Sequence, residues 1–219
     1  MFTLTNITFK GILNIESLII PERKVTCIVG ESGSGKTTLM RLLNKLISPD
    51  GGEIMYHGSP LQEINSVELR RKVVMLPQTP AIFPGTIRDN LLLGLKFAEQ
   101  PAVDDDGLHV ALQAVHLAKQ LENNADKLSG GEKQRLALAR LLLLNADVFL
   151  LDEPSSALDD DTEQLVIEQL VRHTQAHIKT LIMVTHSKQV ARKFAHYIVE
   201  IKNGRIVREE IINNVTASD

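Results

Sequence analysis

A glycine-rich segment at residues 30–37 constrains the fold of this chain more than any other feature of its sequence. It reads Gly-Glu-Ser-Gly-Ser-Gly-Lys-Thr and fits the pattern G-x-x-x-x-G-K-[ST]. A β-branched run at residues 25–29 precedes it, and a helical apolar pattern at residues 36–46 follows. Glycines permit a tight turn whose N–H groups point at phosphate oxygens, and the helix adds its positive N-terminal end. The segment predicts a strand–loop–helix site for phosphate groups.

We expect this phosphate loop to bind through its backbone and through the lysine and threonine that follow its last glycine. The residues assigned to phosphate binding are Gly30, Glu31, Ser32, Gly33, Ser34, Gly35, Lys36, Thr37 and Thr38. Lys36 is expected to reach the β- and γ-phosphates, and the Thr37 hydroxyl to ligate Mg²⁺. The alternative is a glycine-rich turn that binds nothing, but Lys36 and Thr37 stand at the places that binding requires.

Two adjacent acids form a second part of the predicted site. The apolar run at residues 148–151 ends at Asp152 and Glu153. A buried parallel strand would deliver both carboxylates to the edge of the sheet where open α/β folds bind ligands. Asp152 is expected to hold Mg²⁺, directly or through water, and Glu153 to act as the general base on an attacking water. A strand that ends in a charged turn is the simpler alternative, which the phosphate loop makes weak.

Four further segments resemble the ABC-type ATPases. Residues 128–135, which read Leu-Ser-Gly-Gly-Glu-Lys-Gln-Arg, resemble the LSGGQ signature, with a glutamate at the fifth position. Gln78 resembles the Q-loop glutamine, residues 156–159 resemble the D-loop, and His186 resembles the switch histidine. All four occur in the order that the family uses, so the chain is identified as a member of it.

The resemblance implies an α/β fold of the P-loop NTPase class. Its core sheet would be mostly parallel, with an N-terminal antiparallel β subdomain and an inserted α-helical subdomain at about residues 79–128. Residues 1–219 would form a single ATPase domain. A hydrophobic content of 43% is enough for such a core. The pattern also predicts a terminal hairpin around Asn203-Gly204.

The same resemblance implies ATP and Mg²⁺ as cofactors and a second ATPase subunit. Gln78 would ligate Mg²⁺, and His186 would contact the γ-phosphate and position the attacking water and Glu153. The signature residues would bind ATP held by the opposite chain of a head-to-tail homodimer; they are Ser129, Gly130, Gly131 and Glu132. A helix cap formed by Ser129 and Glu132 is the alternative role, and both roles can hold together.

Three smaller features each have two interpretations. Phe9 would stack on adenine or belong to the core; the family usually has tyrosine for the stacking role. His173 and His177 lie four residues apart, as two metal ligands on one helix face do, or they form an exposed helix surface. The acidic run at residues 104–106 would hold a cation or would precede and start a helix.

Charge and hydropathy limit the partners. The net charge of −3 does not favour nucleic-acid binding, and no uncharged apolar run approaches the roughly 18 residues of a spanning helix. We therefore expect the chain not to cross a membrane by itself. The resemblance implies a separate permease and a peripheral location on the cytoplasmic face of the cell membrane. Residues 78–91 resemble the segment that receives a permease helix; Ile82 and Phe83 would dock it or form local core.

The transported solute is the least constrained property. The short chain and residues 76–83 resemble the ATPase subunit of FetAB-type iron exporters, which implies export of iron or another metal. An importer ATPase for another small solute, a non-transport ABC ATPase and a small-molecule kinase are the alternatives. A kinase is disfavoured by residues 128–132 and by His186.

Overall fold

The computed structural model describes residues 1–212, except for the side chain of Asp160. Residues 213–219, which belong to the predicted domain, lie outside the described part of the chain. That part contains ten strands and seven α-helices. The strands are β1 Phe2–Phe9, β2 Leu13–Ile20, β3 Val25–Val29, β4 Gly51–Tyr56, β5 Ser59–Pro60, β6 Val73–Leu76, β7 Val148–Asp152, β8 Thr180–Val184, β9 Tyr197–Lys202 and β10 Arg205–Ile211. The helices are α1 Lys36–Leu43, α2 Ser66–Lys72, α3 Ile87–Phe97, α4 Asp105–Ala114, α5 Gly130–Leu142, α6 Asp160–Ala176 and α7 Lys188–Phe194.

The N-terminal sheet is antiparallel, as predicted. Its strand order is β2-β1-β4-β5, and β1 pairs with both of its neighbours. Buried apolar side chains alternate with polar ones in β1 except at the exposed pair Thr5 and Asn6, where the register against β4 shifts, so that Phe2, Leu4 and Ile7 are all buried. These side chains pack with the apolar residues of α1 in one hydrophobic cluster.

The core sheet has the order β10-β9-β3-β8-β7-β6, and five of its six strands run parallel. The prediction of a mostly parallel core sheet is therefore confirmed. Strands β7 and β8 are buried along their whole length, as expected for strands covered on both faces. The last strand pairs antiparallel with β9 through Asn203 and Gly204, both at positive φ, which confirms the predicted hairpin.

Parallel strands bring their carboxyl ends to one edge of the sheet. The chain leaves β3, β6, β7 and β8 at this edge. The segments that follow these strands contain the phosphate loop, Gln78, Glu153 and His186. The topology thus collects four sequence-distant motifs in one place.

Helices occupy the predicted insertion between β6 and β7. Thr86 caps α3 in a reciprocal capping box with Asp89, and Asp104 caps α4 through the Gly107 amide. The acidic run therefore starts a helix, as one of its two interpretations predicted. Arg88 of α3 forms ion pairs with Asp105 and Glu122 that tie the two helices and the following loop together.

Helix α2 is absent from the sequence-based prediction. Its signals are nevertheless local: the Asn65 side chain accepts the amides of Val67 and Glu68, and basic residues occupy the last turn. Only one of its residues, Leu69, is buried, so the helix lacks the apolar periodicity on which the prediction relied. Among residues 1–212, no helix is long and apolar enough to cross a membrane.

Candidate functional site

The phosphate loop connects β3 to α1 in the predicted manner. Gly33 and Gly35 adopt positive φ of 76° and 104°, and Gly35 is the residue that precedes the first turn of α1. A Cβ on Gly35 would lie 2.5 Å from the Leu13 side chain. The positive φ therefore favours glycine at position 35, and a Cβ there would also force the Leu13 side chain to shift. The amides of the first turn of α1 have no intrahelical acceptor and remain available to an anion.

The Lys36 side chain folds back over the loop. It is 5% exposed, and its Nζ donates to the carbonyl oxygens of Gly30 at 2.9 Å and Glu31 at 2.8 Å. Burial lowers the pKa of the Lys36 ammonium, while the nearby carboxylates of Glu153 and Asp152 oppose that shift. The loop therefore holds one cation against its own backbone.

Thr37 and Asp152 place two hydrogen-bonded oxygen atoms near this cation. The Thr37 Oγ1 donates to the Asp152 Oδ1 at 3.1 Å, and Asp152 is 3% exposed at the end of β7. Burial raises the pKa of Asp152, and the Thr37 hydrogen bond partly offsets the rise. A hydroxyl and a carboxylate are ligands that Mg²⁺ accepts, together with phosphate oxygens and water.

The other assigned loop residues differ in exposure. Glu31 and Ser32 are exposed, Thr38 is half-buried in α1, and Ser34 is buried. The Ser34 hydroxyl has no hydrogen-bond partner among residues 1–212. A buried polar atom without a partner is costly unless something else satisfies it.

Glu153 is the centre of the arrangement at the sheet edge. Its Oε2 accepts a hydrogen bond from Gln78 Nε2, and its Oε1 lies against His186 Nε2, both at 2.7 Å. The residue adopts φ of +50°, a left-handed conformation that is rare outside glycine, asparagine and aspartate. Three residues predicted from separate motifs thus meet around one carboxylate.

The signature segment forms a closed capping box. The Ser129 Oγ accepts the Glu132 amide at 3.3 Å, and Glu132 Oε2 accepts the Ser129 amide at 2.8 Å. The predicted cap at the start of α5 is therefore present. Gly130 is exposed, and a Cβ on Gly131 would lie 2.9 Å from the Ala157 carbonyl oxygen of the D-loop. In the described part of the chain, no hydrogen bond or ion pair joins this segment to the phosphate loop.

A loop lysine that the sequence analysis did not identify forms an ion pair with the signature residue Glu132. Lys119 Nζ lies 2.9 Å from Glu132 Oε1. The hydrogen bond from Lys119, followed by the one from the Ser129 amide, lowers the pKa of Glu132 to about 2. No local sequence signal reveals this contact, because a 13-residue separation through a loop has no fixed geometry.

Phe9 lies in the core of the N-terminal region. It is 9% exposed and belongs to the same hydrophobic cluster as β2 and α1, with the Lys10 ammonium 5.4 Å from the centre of its ring. Little of the ring is left to stack on a base, so this placement favours the core interpretation.

Phe83 and the histidine pair His173 and His177, each of which had two interpretations, contact neighbouring residues of this chain. Phe83 is half-buried, with the Arg140 guanidinium 5.2 Å from its ring centre and Phe97 in an edge contact. His177 Nδ1 lies 2.8 Å from the His173 carbonyl oxygen, and the His173 ring packs near Phe149. Residues 1–212 contain no group of three or more His, Cys, Asp or Glu side chains placed to hold a metal ion.

The phosphate loop and the pair Thr37 and Asp152 fit a nucleoside triphosphate and its Mg²⁺. The loop presents free helix amides, a cation and an unsatisfied hydroxyl, which are groups that bind phosphate oxygens. Thr37 and Asp152 supply two hard oxygen ligands, and Mg²⁺ in such sites takes its other ligands from phosphate and water.

Comparisons with known proteins agree with this geometry. The sequence profile of the ABC transporter family matches residues 13–156. The lactococcin transport/processing ATP-binding protein LcnC-like of Lactococcus lactis subsp. lactis (strain IL1403) is 39% identical over 205 residues, which cover 90% of this chain and 28% of that protein. The glutathione/L-cysteine transport system ATP-binding/permease protein CydC of Escherichia coli (strain K12) is 38% identical over 209 residues, which cover 91% of this chain and 34% of that protein. This chain therefore spans about a third of the length of these curated relatives.

A solved structure matches over nearly the whole chain. The dimeric ATP-binding cassette MJ0796, in a post-hydrolysis state bound to ADP and Pi, superimposes with a TM-score of 0.86 at 29% identity. The match covers 98% of this chain and 100% of that one.

Proposed function

The chain belongs to the ABC transporter family, and from this membership we propose that it is an ATP-binding subunit that hydrolyses MgATP in a head-to-tail homodimer to drive a separate membrane permease. The observation that carries the proposal is the Glu153 carboxylate, held between Gln78 and His186 beside Lys36 and Asp152. We further propose that residues 1–219 form one ATPase domain, with the inserted helical subdomain at about residues 79–128.

The phosphate loop would hold ATP through residues 30–38. Lys36 would exchange its two carbonyl acceptors for phosphate oxygens, which are stronger partners for an ammonium group. Thr37, Asp152 and Gln78 would hold Mg²⁺. MgATP supplies the γ-phosphoryl group that water attacks; the chain supplies the positioning and the charge.

Glu153 would act as the general base. Each carboxylate oxygen accepts one hydrogen bond here and has further lone-pair capacity, so Glu153 can still accept the proton of an attacking water. Gln78 and His186 restrict the rotation of the carboxylate. Hydrogen bonding from both sides keeps the base oriented, which limits the entropy lost on reaching the reactive geometry.

The signature would complete the site of a second copy. Ser129 and the exposed Gly130 amide lie at the N-terminus of α5, where an anion is favourable, and they have no anionic partner within the described chain apart from Glu132. A dimeric cassette among the similar structures supports pairing with a second chain.

The membrane partner rests on the relatives. CydC is named as an ATP-binding/permease protein and the LcnC-like protein for lactococcin transport, so their names support a permease partner and a peripheral location at the cytoplasmic face of the membrane. The solutes in these names are unrelated to each other, and neither name supports the predicted iron-export branch. The proposal therefore covers ATP hydrolysis coupled to transport and leaves the solute and direction open.

Two measurements test this function. Purified chain incubated with MgATP should release inorganic phosphate and ADP in equal amounts. Transfer of phosphate to a small acceptor would instead indicate a kinase. A tagged chain recovered from detergent-solubilised native membranes should bring down a protein with several membrane spans. Recovery of soluble partners alone, by a chain that still binds ATP, would contradict the transporter assignment.

A further inference from the structure

The signature of this chain carries a negative charge where a phosphate is proposed to bind. Glu132 lies in the first turn of α5, and its carboxylate accepts the Ser129 amide at 2.8 Å. A carboxylate this close to an incoming phosphate repels it, because like charges a few ångströms apart interact strongly when partly shielded from water. A neutral glutamine at this position would not create the problem.

Lys119 neutralises that charge. Its ammonium lies 2.9 Å from Glu132 Oε1, on the oxygen that the Ser129 amide does not use. The two oxygens of Glu132 therefore have separate partners, one in the helix cap and one in the loop before it. With Lys119 in place, the pair has no net charge and the carboxylate remains locked in the capping box.

The cap also determines what the Ser129 hydroxyl can do. Its oxygen accepts the Glu132 amide at 3.3 Å, and Ser129 is exposed. The hydroxyl donates to no other group among residues 1–212, so its single proton is free for an external acceptor. A Glu132 side chain released from Lys119 could swing toward Ser129 and accept a hydrogen bond from that hydroxyl, which would then no longer be available to a phosphate.

We propose that Lys119 is a positioning residue for the signature: by holding and neutralising Glu132, it keeps the Ser129 hydroxyl and the α5 amides ready for a phosphate of the opposite subunit's ATP. This inference rests on the proposed function. Lys119 touches neither nucleotide nor reacting atoms, and it acts through Glu132. The side chains of Lys119 and Glu132 are 36% and 22% exposed, and pairs at such positions contribute little to folding. The effect of Lys119 should therefore fall on binding rather than on stability.

The test measures ATP-dependent dimerisation by sedimentation, with Glu153→Gln present throughout to prevent hydrolysis. Adding Lys119→Met should raise the ATP concentration for half-maximal dimer about tenfold, the range expected for a lost charged hydrogen bond. Lys119→Arg should keep the value of the Glu153→Gln variant alone, because it keeps the charge. Lys96→Met, an exposed lysine of α3, is the matched control and should change nothing.

The decisive comparison repeats Lys119→Met on a Glu132→Gln background. With no charge to neutralise, the substitution should have less than a twofold effect there. An equal loss in both backgrounds, or a fall in the thermal unfolding midpoint that matches the loss of dimer, would show that Lys119 is only structural and overturn the proposal. A dimer insensitive to Lys119→Met would also overturn it while leaving the proposed function intact. If Glu153→Gln alone formed no dimer with ATP, the proposed function would fail and this inference with it.

Discussion

The phosphate-loop region and the signature region, both proposed to bind phosphate, each lie at the N-terminus of a helix but differ in what surrounds them. At the phosphate loop, groups from β3, β6, β7 and β8 converge: Lys36, Asp152, Glu153 and His186 lie within one connected set of contacts. At the signature, Ser129 and its neighbours satisfy one another within a capping box, supplemented by Lys119.

This difference suggests separate roles for the two regions: the first would carry out ATP hydrolysis, and the second would bind the ATP of the opposite subunit. The first region contains the residues proposed as the base, as the oxygen ligands for Mg²⁺ and as the cation, which are the groups that hydrolysis would need. The second region contains hydrogen-bond donors at a helix N-terminus and the Glu132–Lys119 ion pair, but no group proposed as a base or as a metal ligand. We therefore expect substitutions in the first region to abolish turnover or ATP binding, and substitutions in the second to weaken the dimer. Four experiments can break or sharpen this division.

The largest effect is expected for Glu153→Gln. Turnover should fall by about 100-fold to 10,000-fold, because the amide keeps the shape of the side chain but cannot accept the proton of water. ATP binding should persist and a stable ATP-bound dimer should accumulate. Phosphate release and sedimentation measure the two properties, with the exposed Glu16→Gln as control. If the Glu153→Gln variant hydrolysed ATP at the wild-type rate, the assignment of Glu153 as the general base would be wrong.

The next effect is expected for Lys36→Met. Loss of the buried ammonium should weaken ATP binding by about 10-fold to 100-fold, since charged hydrogen bonds to phosphate are lost. Lys45→Met is a matched control, because Lys45 also donates to two carbonyl oxygens, those of Gln62 and Ile64, but stands outside the loop. Titration with ATP, followed calorimetrically, measures both. Equal losses of ATP affinity in the two variants would mean that Lys36 stabilises the fold and does not bind the nucleotide.

A smaller effect is expected for Ser129→Ala. The ATP concentration for half-maximal dimer should rise about tenfold, while binding of ATP to the monomer should change little, because the donor serves the opposite chain. Removal of the cap should also cost about 1 kcal/mol of stability. Thr86→Ala removes a capping box of the same type in α3 and controls for that loss. Weakened ATP binding by the Ser129→Ala monomer would contradict the division between the two regions.

The smallest effect is expected from acid pH, at a histidine of α6 that lies outside both regions and affects only the stability of the fold that carries them. Burial, followed by the charges of His177 and Lys179, lowers the pKa of His173 to about 4. Below about pH 6.5 the unfolded chain therefore binds a proton at His173 that the folded chain does not bind. The free energy of unfolding falls as the pH drops from about 6.5 to 4. His173→Asn should reduce this loss by about 1 kcal/mol at pH 5, allowing for partial exposure. Denaturant unfolding of His173→Asn, beside the exposed His116→Asn, measures it; identical pH profiles would refute the shift.

Much of the fold was predictable because its signals are short in sequence. The strand before the phosphate loop, the paired acids after β7 and the Asn-Gly hairpin each depend on a few consecutive residues. Helix α2 was missed because its signals are caps and terminal charges without an apolar stripe. The local cap at Asn65 could have revealed it.

The residues of the candidate site could be proposed one by one from the sequence, and the family resemblance already associated His186 with Glu153, but the other contacts could not be predicted. Nothing in the neighbourhood of Gln78 indicates that its amide donates to Glu153, which lies 75 residues away. The same holds for Lys119 and Glu132. Phe9 could not be assigned to base or core from its strand alone, because burial depends on what packs against that strand.

The sequence by itself determined the binding elements whose geometry is local: the glycine loop before α1, the acids that end β7 and the cap that begins α5. Backbone conformation and hydrogen bonds within a few residues suffice for these. Only the tertiary structure decided which side chains meet: the Glu153 carboxylate with Gln78 and His186, the Lys36 ammonium with its own loop, and Lys119 with the signature. Those contacts depend on the order of strands in a sheet and on loop paths, which long-range packing sets.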